Sequence, residues 1–418
     1  DKVKVQCDYL PLINFAMQQN GASIIHQISI ENTTHAPLKD VQVQITTEPA
    51  FGNSVPTVIE AIPANDRVCL QTFNLTLSTN YFTQLTERLS GSLKVEITSE
   101  TKAIFSQTYP IDILAYDQWD GLNVLPEMLA AFITPNHAVI SPVIKRAATI
   151  LKQWTGNPSL DEYQSRNPDR VRKQMAAVYT AITEQQIIYS TIPASFEEYG
   201  QRIRLTDSVL AQKLGTCLDM ALLYASCLEA IGLNALLIIA RGHAFAGAWL
   251  VPETFPDATI DDVSLLTKRT AEGIYDITLV ETTCMNMGQH SDFDDAVKSA
   301  NGKLTDSSKF ILAIDVKRAR HSGIRPVPQR VLNGQIWEIE EDTALYNKDT
   351  AYATPQSINP YDLSGNETQT VITKQLLWER RLLDLSLRNN LLNIRITKNT
   401  LQLIPANLSC LEDALADG

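Results

Sequence analysis

The sequence predicts a multi-domain chain: an all-β module at the N-terminus, an α+β domain after it, and a helical segment at the C-terminus. Three observations predict this. Through roughly the first 115 residues, apolar and polar residues alternate, which is the spacing of half-buried strands. From Tyr116-Asp117-Gln118-Trp119 onward, the apolar spacing becomes three and four, that of a helix face, and short apolar runs follow it. At 418 residues, the chain is also longer than one hydrophobic core serves.

The N-terminal module spans residues 1–115. In ASIIHQISI, Ile24, His26, Ile28 and Ile30 alternate with Ile25, Gln27 and Ser29. Val41, Val43 and Ile45 alternate in DVQVQI, and Leu93, Val95 and Ile97 in GSLKVEI. Turn-forming clusters at Glu31–His35 and Pro63–Asp66 separate these runs at sandwich spacing, so the expectation is an immunoglobulin-like β-sandwich. On that register His26 falls on the apolar face, as a core histidine rather than a ligand.

The α+β domain spans residues 116–335. Val171, Met175, Val178 and Ile182 recur with helical spacing, and so do Leu218, Leu222, Ala225 and Leu228 after Gly215. Strand-like runs follow at Ala235–Ala240, Ala244–Val251, Asp276–Thr283 and Phe310–Val316. A polar stretch containing Pro355, Pro360 and Gly365 predicts a linker over 336–370. Helical periodicity over 371–418 reads as a domain that starts here and is cut at Gly418.

Composition narrows the function classes. Hydrophobic residues make up 44% and the net charge is -12, so the surface as a whole does not attract nucleic acid. No apolar run approaches the roughly 20 residues that span a bilayer, and DKVKVQCDYL carries no signal-peptide core. Cys7, Cys69, Cys217, Cys227, Cys284 and Cys410 contain no CxxC pair, and the histidines lack metal-ligand spacing. The expectation is a cytoplasmic protein without metal or cofactor, in which the sequons at Asn32, Asn74, Asn366 and Asn407 are chance.

One constellation carries chemistry. In Gly215-Thr216-Cys217-Leu218-Asp219, Cys217 falls in the first turn of a helix running to Ile231. A helix N-terminus favours a thiolate and offers N–H groups to an oxyanion. His243, in Arg241-Gly242-His243-Ala244-Phe245, begins a later strand and can act as the proton carrier such a thiol needs. Glu281, in Leu279-Val280-Glu281-Thr282-Thr283, lies on the next strand and can hold the far imidazole nitrogen; Asp276 is its rival. Cys227 and Cys284 read as structural.

GTCLDMALLYASCLEAIGLNALLIIARGHAFAGAWL resembles the core of the transglutaminase-like, papain-fold cysteine protease superfamily. That superfamily places Gly-x-Cys with Asp two residues on, then a strand histidine beside an aromatic, then an Asp-x-Thr strand. Here Glu281 stands in place of that Asp. The resemblance implies a cysteine hydrolase with Cys217 as nucleophile, His243 as base and Glu281 as orienting residue, working through a thioester on a protein or peptide substrate. By analogy Gln201, in Gln201-Arg202-Ile203-Arg204, is the oxyanion-hole side chain, with Gln212 the alternative.

A wider resemblance takes in more of the chain. ASFEEYGQRIRLTDSVLAQKLGTCLDMALL, FILAIDVKRARHSGIRP and LLWERRLLDLSLRNNLLNIR are similar to the front part of large bacterial helicase proteins, some linked to anti-phage defence. In those proteins a sandwich, a transglutaminase-like domain and a helical domain of unknown function precede the helicase. Asn390 departs from that pattern, where a proline is expected. No GxxxxGK[ST] loop occurs in the 418 residues, so helicase domains are expected beyond Gly418, with no direct nucleic-acid site and no membrane contact in this part. Two other readings keep the fold: an inactive binding or sensing module, and a protein-crosslinking acyltransferase.

Overall fold

A computed structural model describes residues 2–191 and 200–340, which belong to one unit. The predicted helical segment 371–418, with Leu382, Leu383, Leu385 and Leu387, lies outside the described residues. So does all but the start of the predicted linker. That start is a strand, Ile336–Ile339, paired antiparallel with Arg330–Asn333.

The N-terminal part is built from β-sheets, as the alternation predicts. Val3–Tyr9, Ile25–Asn32 and Arg67–Leu70 form an antiparallel three-stranded sheet. A five-stranded sheet runs in the order Leu12–Ile13, Lys102–Ile113, Leu89–Ser99, Leu38–Glu48, Thr57–Ile62. Ile28 and Ile30 from the first sheet share one core with Val41, Val43, Ile45, Leu93, Val95 and Ile97 from the second, all at most 3% exposed. Each such side chain contributes about 1.5–3 kcal/mol of burial free energy.

His26 is not in that core; it is exposed. Tyr9 pairs with Ile25 while Asp8 pairs with Gln27, so His26 is the extra residue of a β-bulge. The bulge shifts the alternation by one, which turns His26 to solvent and lets Ile24 and Ile25 both be buried. Asn32, a predicted sequon, is fully buried, and its amide donates to the carbonyls of Ala36, Ile62 and Pro63.

The second part is mixed α and β. Its sheet runs in the order Thr259–Ile260, Phe310–Asp315, Ala235–Ala240, His243–Trp249, Ile277–Val280, antiparallel throughout. Ala235–Ala240 is buried at every position, which explains why its run is uniformly apolar. The helix Cys217–Ala230 packs on His243–Trp249, and the helices Ile140–Thr155 and Pro168–Thr183 cover it in turn. Val171, Met175, Val178 and Ile182 all face inward from the last of these.

Residues 327–339 return to the β part. The Arg330 guanidinium sits 4.3 Å from the ring centres of both Tyr116 and Trp337 and donates to the Thr83 carbonyl at 2.7 Å. The Tyr116 hydroxyl donates to the Pro328 carbonyl, and the Trp337 N–H to Gln84 Oε1.

Candidate active site

The start of the helix Cys217–Ala230 is fixed by a reciprocal cap. Thr216 Oγ1 accepts the Asp219 N–H at 3.2 Å, and Asp219 Oδ2 accepts the Thr216 N–H at 2.9 Å. Cys217 is therefore the first helical residue. Asp219 is 1% exposed, and its other oxygen takes the Arg204 N–H at 2.9 Å. The aspartate two residues after the cysteine thus holds the helix end in place.

His243 opens its strand directly after a two-residue turn. Ala240 pairs with His243 across Arg241 and Gly242, and Gly242 takes φ +66, in the left-handed region that favours glycine. The helix packs on this strand, which brings the Cys217 thiol and the His243 imidazole close enough to shift each other's ionisation. His243 Nε2 lies 2.8 Å from Glu281 Oε2.

Glu281 follows the strand Ile277–Val280, whose Leu279 pairs with Gly247. A Cβ at Gly247 would lie 2.4 Å from the Thr278 carbonyl oxygen, so the close approach of the Glu281 strand requires glycine. Glu281 is 2% exposed, and its Oε1 accepts the Thr283 N–H at 3.1 Å and hydroxyl at 2.7 Å. Lys303 Nζ lies 3.4 Å from Oε2. The rival Asp276 faces Arg269 at 3.9 Å instead.

The electrostatics of the three groups agree in sign. Burial pushes the Cys217 thiol up, but the His243 hydrogen bond and charge, the Ala244 N–H and the Tyr189 hydroxyl outweigh it and hold the thiol below its usual range. Burial pushes His243 down, but its hydrogen bonds to Cys217 and Glu281 raise it to about 9. Burial opposes ionisation of Glu281, yet the His243 hydrogen bond and charge, with the Thr283 donors, keep it below the ordinary carboxylate range. These directions favour thiolate, imidazolium and carboxylate together. Burial raises Cys227 and, more mildly, half-buried Cys284.

Gln201 is buried on the two-residue strand Gln201–Arg202, paired with Gln118–Trp119, and its Nε2 donates to the Arg202 carbonyl at 2.9 Å. Gln201, exposed Gln212 and Thr216 line one cavity of about 560 Å³. The sequence reading missed Tyr189. It lies on the two-residue strand Ile188–Tyr189, parallel to Leu214–Gly215, and no motif in Ile187-Ile188-Tyr189 marks it. Among the described residues, no group of three His, Cys, Asp or Glu could hold a metal ion, and no helix is long and apolar enough to cross a membrane.

A family model described as a protein of unknown function (DUF4011) matches residues 381–418, outside the described residues. No curated protein matches the chain. One similar solved structure is a proposed protease from Parabacteroides distasonis ATCC 8503, with 13% identity and a TM-score of 0.17 over 53% of this chain. The chain spans 40% of that protein's length, and likeness at this level carries no argument about activity.

Proposed function

We propose that this chain is a cysteine hydrolase acting on protein or peptide acyl groups, with Cys217 as nucleophile, His243 as proton carrier and Glu281 as the residue that orients it. The observation that carries the reading is the 2.8 Å contact between His243 Nε2 and buried Glu281, beside a Cys217 thiol whose ionisation His243 favours. The Cys217 thiolate adds to the substrate carbonyl carbon, and the carbonyl π pair moves onto oxygen. As that pair returns, the C–N bond breaks and the His243 imidazolium gives its proton to the departing amine, leaving a thioester. His243 then takes a proton from water as the water adds to the thioester, and the C–S bond breaks to release a carboxylic acid.

The finer assignments belong to the same proposal. Residues 1–115 are an immunoglobulin-like sandwich and 116–335 a transglutaminase-like domain, with Gln201 the oxyanion-hole side chain. The setting proposed with it is a cytoplasmic bacterial helicase-containing defence protein, which rests on the resemblance of the Leu-Leu-Asp-Leu-Ser-Leu-Arg-Asn stretch, itself within the family match at 381–418. The test is mass spectrometry of cellular proteins incubated with wild type and with Cys217→Ala. New chain termini that depend on Cys217 support hydrolysis, and Cys217-dependent isopeptide links indicate acyl transfer. Identical profiles from the two proteins would sink the enzymatic reading.

A further inference from the structure

The mechanism above leaves one charged group beside Glu281 without a role. Lys303 Nζ lies 3.4 Å from Glu281 Oε2, the same oxygen that meets His243 Nε2 at 2.8 Å. When His243 is protonated, two cations therefore share one carboxylate oxygen, and Lys303 is the more distant of them.

The fold brings Lys303 there. It stands in the last turn of the helix Phe293–Leu304, which packs on the strand Ile277–Val280. The Ala296 carbonyl of that helix accepts the Glu281 N–H at 3.1 Å. Ala296, Ala300 and Lys303 are spaced four and three apart, so they lie along one helix face, and both alanines are fully buried. One end of this face thus holds the Glu281 backbone and the other end its side chain. A cation in a last turn suits the helix dipole wherever it points. The dipole does not require it to reach a carboxylate that is 2% exposed.

Neighbouring charges are paired with one another. Asp294 on the same helix meets Arg172 at 2.5 Å, and Asp295 meets Lys298 at 3.6 Å. On the adjoining helix Ser264–Thr270, Arg269 faces Asp276 at 3.9 Å. Cys284, Tyr179 and Tyr189 also feel the Glu281 charge, but burial raises all three and keeps them neutral near neutral pH.

We propose that Lys303 is a positioning residue for the second half of the reaction: by drawing on Glu281 Oε2 it loosens that carboxylate's hold on the His243 proton, so that the imidazole can take a proton from water during thioester hydrolysis. This rests on the hydrolase reading. In the resting site the Cys217 and Glu281 charges both favour imidazolium. Once the thioester has formed, the sulfur carries no charge and Glu281 is the anion that remains against the ring. His243 must then be neutral to act as base, and a second cation behind the carboxylate disfavours its charged form. The water oxygen bonds to the thioester carbon as its proton passes to His243, and the carbonyl π pair moves onto oxygen. That pair returns as the C–S bond breaks. Lys303 keeps its protons throughout, and no bond to it changes.

The test compares wild type, Lys303→Met, Lys303→Arg and Cys217→Ala in the full chain, with p-nitrophenyl acetate. Its burst of nitrophenolate reports acylation, and its steady state reports thioester hydrolysis. Nitrophenolate leaves without a proton, so the burst does not depend on imidazolium. Removing the charge of a partly exposed lysine is expected to raise the His243 midpoint in the acyl-enzyme by about half a pH unit. Lys303→Met should therefore keep the burst rate and lose about threefold in steady-state rate at neutral pH. The gap should close as pH rises past the midpoint, and Lys303→Arg should behave as wild type. Steady-state rates for Lys303→Met that match wild type at every pH overturn the proposal. So does a loss of the same size at every pH, or an equal loss in Lys303→Arg, because Lys303 would then be structural only. In those cases a burst that vanishes in Cys217→Ala leaves the hydrolase reading standing. No burst in wild type, or one that survives Cys217→Ala, brings down that reading and this assignment with it.

Discussion

Glu281 and His243 are joined by a 2.8 Å contact between Oε2 and Nε2, while Glu281 Oε1 is held separately by the N–H and hydroxyl of Thr283. Each carboxylate oxygen therefore has its own task, one on the imidazole and one on the backbone. Replacing Glu281 with Gln is expected to slow hydrolysis by about two orders of magnitude less than Cys217→Ala or His243→Ala does. The carboxamide oxygen can keep one of these contacts, but the negative charge behind the imidazolium is lost. Steady-state kcat/KM of the three variants on one peptide substrate checks this. Equal losses in all three would contradict it.

The pH profile follows from the signs of the shifts. The Cys217 thiol lies below its usual range, so activity should rise with pH through that lowered value. His243 is raised to about 9, so activity should fall again as pH passes about 9 and the imidazolium loses the proton needed by the leaving amine. Alkylation of Cys217 should persist above that point, because it needs only the thiolate. A kcat/KM curve still rising beyond pH 10, an upper bound set about one unit above that value, would contradict the pairing.

Selective labelling is expected near neutral pH. Cys217 should be alkylated far faster than Cys227 or Cys284, whose thiols burial raises. His243→Ala should remove the advantage. Peptide-resolved alkylation rates check this, with comparable rates at all three sites as the contrary outcome.

Thr216→Ala removes the side-chain half of the helix cap and is expected to cost about 1 kcal/mol of stability. Because Cys217 is the next residue, its alkylation should slow as the helix end frays. Denaturant midpoints together with alkylation rates test both effects. A stable variant with unchanged reactivity would show that Asp219 alone holds the helix start.

Gly247→Ala forces a methyl against the Thr278 carbonyl. Overpacking of this kind costs typically about 1–3 kcal/mol, and here it displaces the strand leading to Glu281. Loss of activity should exceed the loss expected from the fall in melting temperature. Wild-type kcat/KM at a temperature where the variant is folded would contradict the role given to Gly247.

Much of this site was legible in the sequence because its parts are local. Gly215-Thr216-Cys217-Leu218-Asp219 carries its own cap, and the run Ala235–Ala240 is apolar because it is buried on both faces. His243 opens one strand and Glu281, expected on the next strand, lies just past its end, where it caps the short helix Thr282–Met285. Tyr189 was not legible. A two-residue strand has no period to detect, and its partner Gly215 lies well beyond it in sequence. His26 was misread for a related reason, since one inserted residue in a ladder reverses the faces of everything beyond it.

The clasp of Arg330 between Tyr116 and Trp337 bears on how the chain can be divided. A boundary drawn between residues 115 and 116 looks natural along the sequence, yet in space the polypeptide crosses it twice. An excised hydrolase part beginning at Tyr116 would keep Arg330 and the hairpin but lose the Thr83 and Leu85 carbonyls that hold the guanidinium. An excised β part ending at residue 115 would lose the staple altogether. Cutting there divides between two pieces a set of contacts that the described residues hold within one unit.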